Sequence, residues 1–320
     1  MADDVDASAR SASAPLAHIE RGVGDVVRGN PETVRMALAA MLAGGHVLLE
    51  DVPGVGKTTL ARALAKALGC TFARIQFTAD LLPSDVIGVQ ILDGTTLRFK
   101  RGPLFAHIVL ADEINRASPK TQSALLEAMA DGQVSVDDET HQLALPFLVL
   151  ATQNPVEHHG AYPLPESQLD RFMVCLTLGY PSPEEERRLL QQNRTADDAL
   201  KALAVQLDPE RVRALQAQVK ALPIAEPVAA YLIELVLATR AHQNIDLGCS
   251  PRGSLAWAAL CRARAFVAGR AFVLPDDVKA TAHAVLVHRL AVRGVPEGAE
   301  ARRRARAIVD EILARTPAPR

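Results

Sequence analysis

Hydrophobic and polar positions change their period along this chain. From Ala17 to Ala43 the apolar residues recur at helical spacing, with a turn at Gly29-Asn30-Pro31. Short apolar runs then alternate with helical segments. The runs are His46–Glu50, Ala73–Gln76, His107–Ala111, Phe147–Ala151 and Met173–Thr177, and helices are predicted at Thr58–Leu68 and Pro119–Ala130. Such alternation predicts an α/β fold, a parallel sheet with helices on its faces. Two hairpins interrupt it. Val89–Leu92 and Leu97–Lys100 flank Asp93-Gly94, a strong two-strand turn signal. Val134–Val136 and His141–Leu145 flank the acidic tip Asp137-Asp138-Glu139, which equally fits a solvated loop. After Pro181-Ser182-Pro183 the style changes. Ser182 with Glu185 reads as a capping box, and from there to Arg315 the period is helical, with no convincing strand. The expected organisation is a disordered tail over 1–14, an α/β core over 15–181 and an all-helical domain over 182–320.

Composition narrows the function classes. The chain has 320 residues, 49% of them hydrophobic and 22% charged, so a large core is available and wholesale disorder is excluded. A net charge of −2 and 4% aromatic content disfavour a surface built to coat nucleic acid or an anionic membrane. Cys70, Cys175, Cys249 and Cys261 are scattered without a CxxC pair, which reads as buried free thiols in a reducing compartment. The first residues lack the apolar core of a signal peptide. The most apolar stretch, Ala221 to Ala238, holds Glu226, Glu234 and two prolines and reads as a core helix, not a membrane span. A cytoplasmic protein is expected.

The strongest chemical signal is Pro53-Gly54-Val55-Gly56-Lys57-Thr58-Thr59, after an apolar run and before a helix. Glycines let backbone N–H groups curl around a phosphate, and the helix start adds free donors and partial positive charge. Lys57 is a cation at the helix end that disfavours cations, unless an anion sits there. A bound triphosphate supplies that anion, and the Thr58 hydroxyl is placed to ligate Mg²⁺. The general pattern opens on glycine, where this chain has Asp51.

Further strand ends carry polar groups. Ile108 to Ala111 leads into Asp112-Glu113, two carboxylates that a buried strand tolerates poorly without a cation nearby. Asp112 would hold the metal, and Glu113 would orient and deprotonate the attacking water. Phe147 to Gln153 ends at Asn154, which can hydrogen-bond a water and a γ-phosphate together; it equally suits a turn before Pro155. Arg171 either pairs with Asp170 or Glu166, or projects across a subunit boundary onto a neighbour's γ-phosphate. Ser250-Pro251 caps a helix whose first turn holds Arg252, solvated or met by an incoming anion.

Taken together, these residues resemble an AAA+ ATPase, and more narrowly the MoxR family. The narrower likeness rests on the runs Ala73 to Asp85, Ala111 to Ala117, Lys120 to Met129, Ala151 to Pro155 with Tyr162 to Glu166, and Ser250-Pro251-Arg252. The resemblance implies a P-loop NTPase sheet of order 5-1-4-3-2 with inserted hairpins, followed by a helical lid. It implies Walker A at Lys57 and Thr58, Walker B at Asp112 and Glu113, sensor 1 at Asn154, the arginine finger at Arg171 and sensor 2 at Arg252. It also implies ATP with Mg²⁺, a ring of copies (usually a hexamer), chaperone-like remodelling of a protein client, and a partner carrying a von Willebrand factor A domain.

Other features take a plainer reading. His158-His159 lacks partners at metal spacing, and Arg302-Arg303-Arg304-Ala305-Arg306 reads as a solvated helix face. Two competing functions stay open: a nucleotide-gated binding scaffold with incidental turnover, and a DNA-directed AAA+ machine. Near-neutral charge weighs against the second.

Overall fold

The structure, a computed structural model, describes the backbone of residues 2–27, 31–136, 139–153, 162–192, 195–296 and 298–319; side chains are described except at 2–12, 97, 188–189 and 192. The strands run in chain order as β1 (Val47–Glu50), β2 (Phe72–Gln76), β3 (Gly88–Asp93), β4 (Thr96–Arg101), β5 (Ile108–Asp112), β6 (Gln133–Val136), β7 (Glu139–Gln142), β8 (Leu148–Gln153) and β9 (Val174–Leu176). Five of them make one parallel sheet, β2-β5-β8-β1-β9, which from the other edge is the order 5-1-4-3-2 of the five core strands. The apolar runs are nearly continuous because helices cover both faces.

Alternation along the strands divides the interior into two hydrophobic cores. Leu48, Val109, Val149 and Ala151 face one core, with Leu125 and Leu126 of the helix Pro119–Asp131 and Val134 of β6. Val47, Leu49, Leu110, Leu150 and Val174 face the other. That second core takes in the helices α1 (Ala2–Val27), α2 (Pro31–Leu42) and α3 (Lys57–Ala67), and it continues without a break into the C-terminal helices through Leu215, Trp257, Val285 and Ile312.

Both predicted hairpins are present. β3 and β4 pair antiparallel with Asp93 opposite Thr96, so the turn lies at Gly94-Thr95, with Gly94 at φ 65°. In the second hairpin the return strand starts earlier than expected: Glu139 is already opposite Val136, and Gln142 opposite Gln133 closes the ladder. Asp137 and Asp138 of its acidic tip lie outside the described residues, as does the expected turn at Gly29-Asn30. The two hairpins meet through Phe99 of β4 stacked on His141 of β7, with ring centroids 4.1 Å apart.

Two expectations need correction. The segment 1–14 was expected to lack structure, but α1 begins at Ala2. Leu16, Ile19, Val23 and Val26 bury one face of α1 and dock it, and an alanine-rich backbone propagates a docked helix at little cost. The C-terminal part is not wholly helical either. β10 (Ile245–Leu247) pairs antiparallel with β11 (Ala291–Val292). Strands of three and two residues are too short to leave a period in the sequence. Among the described residues no single helix is long and apolar enough to cross a membrane. The four cysteines are free, with Cys249 and Cys261 buried and Cys70 and Cys175 partly so.

Candidate active site

The glycine-rich loop leaves the carboxyl end of β1 and enters α3. Gly54 and Gly56 hold φ of 86° and 99°, a region that side chains disfavour, so the glycines are required for this path. Gly56 stands at the N-cap of α3, and no side chain caps the helix there. The first N–H groups of α3 therefore stay available to a ligand. Lys57 is half-buried. Its Nζ donates to the carbonyls of Asp51 (2.8 Å) and Val52 (3.4 Å). Burial lowers its pKa, against the opposing pull of Asp51, Asp112 and Glu113, so these carboxylates share the loop's immediate electrostatic field.

Asp51, at the position the general pattern gives to glycine, is buried. Its carboxylate accepts the backbone N–H groups of Leu178 (2.5 Å), Gly179 (2.9 Å) and Val52 (3.1 Å). The side chain thus ties the start of the loop to the chain leaving β9. Its charge is spent on amides instead of facing a phosphate.

Asp112 ends β5 beside the loop. Its Oδ1 accepts the Thr152 hydroxyl (2.7 Å), and its Oδ2 accepts Arg74 through Nη2 (2.6 Å) and Nε (3.2 Å). Thr152 in turn accepts the N–H of Glu113 (2.8 Å). Glu113 is the only non-glycine residue at positive φ among the described residues, at 57°. Such a backbone costs on the order of 1 kcal/mol and collects at functional sites. It turns the Glu113 carboxylate away from the strand path toward Gln76 Nε2 (2.8 Å) and Arg116 Nε (3.2 Å). The next turn is pinned by the buried amide of Gln122, which donates to the carbonyls of Ile114 and Ala117 (3.2 Å each) and Tyr162 (3.0 Å).

A cavity of about 200 Å³ opens beside the loop, walled by Val26 and Val27 of α1, Val55, Pro181, Ala196 and Ala199. Apolar walls next to a phosphate cradle suit a nucleobase. Gln153 at the end of β8 presents a buried Nε2 with no partner among the described residues, and its own carbonyl accepts the Asp51 N–H (3.3 Å). An orphaned donor here, an uncapped helix mouth and the hard oxygens of Thr58 and Asp112 together fit a magnesium nucleotide. Asn154 and His158-His159 lie outside the described residues.

Arg171 and Arg252 are brought together, but not to the loop of their own chain. Both line a cleft of about 210 Å³ with Gly45, His46, Met129 and Arg289. Gly45 and His46 precede β1, whereas the loop follows it, so the cleft and the loop lie at opposite ends of a strand about 13 Å long. Arg171 pairs with neither Asp170 nor Glu166. Its Nη1 donates to the Leu126 carbonyl near the end of the helix Pro119–Asp131, where a cation is favoured. Arg252 is exposed in the first turn of the helix Pro251–Val267, whose N-cap Ser250 accepts the Gly253 N–H (2.9 Å).

Sequence reasoning missed Arg74, Gln76, Thr152 and Arg302. The first two had a signal, because a period of two puts both on the face of β2 that meets the end of β5, and Gln76 is in register with Asp112. Arg302 had none. It belongs to the basic run read as solvated, yet it forms a forked ion pair with Glu50 at the end of β1 (2.9 and 3.0 Å). Arg303 and Arg304 of the same run pair with Glu300.

Residues 46–174 match the ATPase family associated with various cellular activities (AAA), and residues 237–312 match an AAA lid domain. The chain is 48% identical over 304 residues to the uncharacterized protein YeaC of Bacillus subtilis, covering 94% of this chain and 93% of that one. It is 41% identical over 296 residues to Chaperone MoxR1 of Mycobacterium tuberculosis (88% and 78% covered). It is 32% identical over 332 residues to Protein MoxR of Methylorubrum extorquens (95% of each). A crystal structure from Cytophaga hutchinsonii, described as a candidate ATPase, superposes with a TM-score of 0.87 at 36% identity, covering 100% of this chain and 98% of that one.

Proposed function

Because this chain belongs to the MoxR family of AAA+ ATPases, we propose that it hydrolyses ATP at composite sites between copies in a ring and uses the cycle to remodel a protein client. Its enzymatic class is ATPase, and its relatives are chaperone-like. The observation that carries the reading is the division of the chemistry across the molecule. Lys57, Asp112 and Glu113 stand at the carboxyl ends of the strands, while Arg171 and Arg252 wait at the amino ends. A subunit so built completes its neighbour's site and not its own, so Arg171 acts in trans and Arg252 joins it there.

In this reading Pro53 to Thr59 wrap the phosphates and Lys57 exchanges its two carbonyl partners for phosphate oxygens. Thr58 and Asp112 would hold a magnesium ion, which when bound would supply positive charge against the phosphate oxygens. Glu113 takes the proton of the attacking water, and release from Gln76 and Arg116 frees its carboxylate for that work. Asn154, by resemblance, holds the water against the γ-phosphate. Arg171 of the adjoining copy meets the transition-state charge, a contribution on the order of 10³–10⁵ in rate in related phosphoryl-transfer sites. Ring size (by resemblance six) and a partner with a von Willebrand factor A domain belong to the same proposal.

The test pairs binding with turnover. Lys57→Ala should show no heat on titration with ATP and magnesium, whereas Glu113→Gln should bind ATP and lose phosphate release by about 10²-fold or more. Undiminished release from Glu113→Gln would refute its role as base. Arg171→Ala should bind ATP and not turn over, and mixing it with Lys57→Ala subunits should restore activity.

A further inference from the structure

We propose that Arg289, on the C-terminal lid, is the positioning residue for the trans arginine: it fixes Arg171 in the core and Arg252 in the lid at one spacing, as a two-pronged unit offered to the neighbouring copy. This rests on the reading of Arg171 as a trans group.

Arg289 is only 3% exposed. A guanidinium has five N–H bonds, and here each has an acceptor. Nε donates to Asp170 Oδ1 (2.8 Å). Nη1 donates to the carbonyls of Met173 (3.1 Å) and Val285 (2.5 Å). Nη2 donates to the carbonyls of Phe172 (2.5 Å) and Asp170 (3.3 Å). Four of the five acceptors lie on residues 170, 172 and 173. The lid residue therefore grips the backbone on both sides of Arg171 without using that side chain, which lines the cleft and donates to the Leu126 carbonyl.

The same carboxylate reaches the second prong. Asp170 Oδ2 accepts the Ser250 hydroxyl (2.8 Å), and Ser250 caps the helix in whose first turn Arg252 stands. One carboxylate is thus bonded through one oxygen to the lid's arginine and through the other to the lid's helix cap. Its own backbone continues directly into Arg171. A buried ion pair is a poor device for stability alone, because desolvation offsets most of its attraction. As a device for geometry it is well suited, since a planar fork with every donor used admits a single arrangement. His288, buried beside it, adds a further contact between lid and core at the Phe172 carbonyl (3.1 Å).

Domain adhesion alone and positioning predict different behaviour in mixed rings. Arg289→Lys keeps the charge and loses the fork, and Asp170→Asn keeps the shape and loses the charge. Each should hold ATP affinity within about threefold of the parent. Each should lower kcat by roughly 10- to 100-fold, the scale expected when a catalytic group is misplaced by about 1 Å. Mixed with excess Lys57→Ala subunits, both should regain activity, because the variant's intact loop then meets an intact arginine unit. Should either variant fail to fold, Ser250→Ala removes the Asp170 bond together with the cap of the helix that carries Arg252, leaves the Arg289 fork intact, and should give the same pattern more weakly. Absence of recovery at every ratio, with recovery in the Arg171→Ala control mixture, overturns the proposal, as does a kcat within twofold of the parent in all folded variants. A control mixture that stays inactive removes the trans reading of Arg171 and this proposal with it.

Discussion

Replacing Asp51 with glycine restores the general phosphate-loop pattern and should damage the protein. Three backbone N–H groups end on this carboxylate, from Leu178, Gly179 and Val52, at 2.5–3.1 Å. Hydrogen bonds to a charged group contribute about 1.5–3 kcal/mol each, and a buried donor left unsatisfied costs about 1–3 kcal/mol. The Leu178 amide bond is buried, while those of Gly179 and Val52 are only partly so and recover water. Counting one orphaned donor and two rehydrated ones, Asp51→Gly should destabilise the fold by about 2–4 kcal/mol. At an m-value of about 3 kcal/mol/M, that lowers the urea midpoint by about 1 M. Asp51→Asn keeps one acceptor oxygen and should lose about half as much. Circular dichroism follows the whole fold, and fluorescence of Trp257, the single tryptophan, fully buried in the second core, follows the lid side. Both probes should shift together, because the bonds join the loop to the chain leading into the lid. An Asp51→Gly protein that unfolds at the parent's urea concentration by both probes would refute this account of the residue.

Two further outcomes follow from other contacts. Burial pushes the His46 imidazole down to about 4, where its Nδ1 accepts the Val149 N–H and its Nε2 meets the Met129 carbonyl. The unfolded chain takes up a proton near pH 6.5 and the folded one does not, so stability is full above pH 6.5 and falls by on the order of 3 kcal/mol as pH drops toward 4; urea midpoints of a His46→Gln variant should decline less steeply over that window, and an equal slope would refute the assignment. The Glu50–Arg302 ion pair, with side chains 14% and 24% exposed, should give a coupling of about 1 kcal/mol in a cycle of Glu50→Gln and Arg302→Met, and a value indistinguishable from zero would make it a contact without energetic weight.

Much of this architecture is legible in the residues, for physical reasons. Strands buried on both faces need unbroken apolar runs, so β1, β5, β8 and β9 stand out, and their expected limits lie within two residues of the observed ones. Asp93-Gly94 betrays its hairpin because few residues accept positive φ. Contacts between segments far apart in the chain leave no such mark. Glu50 and Arg302 are separated by 252 residues, Asp51 and Leu178 by 127, and Asp170 and Arg289 by 119. Arg302 looked solvated because its neighbours Arg303 and Arg304 are exposed, and a basic run does not reveal which member turns inward. From the residues alone Arg171 could pair with Asp170 or Glu166 or reach a neighbour's phosphate, and Arg252 could be solvated or met by an anion. That they share one cleft away from their own Lys57 is a property of topology, and only the folded chain displays it.

The seam between α1, α2, one side of the sheet and the C-terminal helices is continuous greasy packing, with Leu38, Leu49, Leu64, Trp257 and Val285 all sealed from water. A flap that swung on Gly179 would have to wet that seam on every stroke. Any movement of the lid against the sheet that uncovered this seam would expose apolar surface at a cost of about 25 cal/mol for each Å², so the shared packing holds the two parts together as one unit.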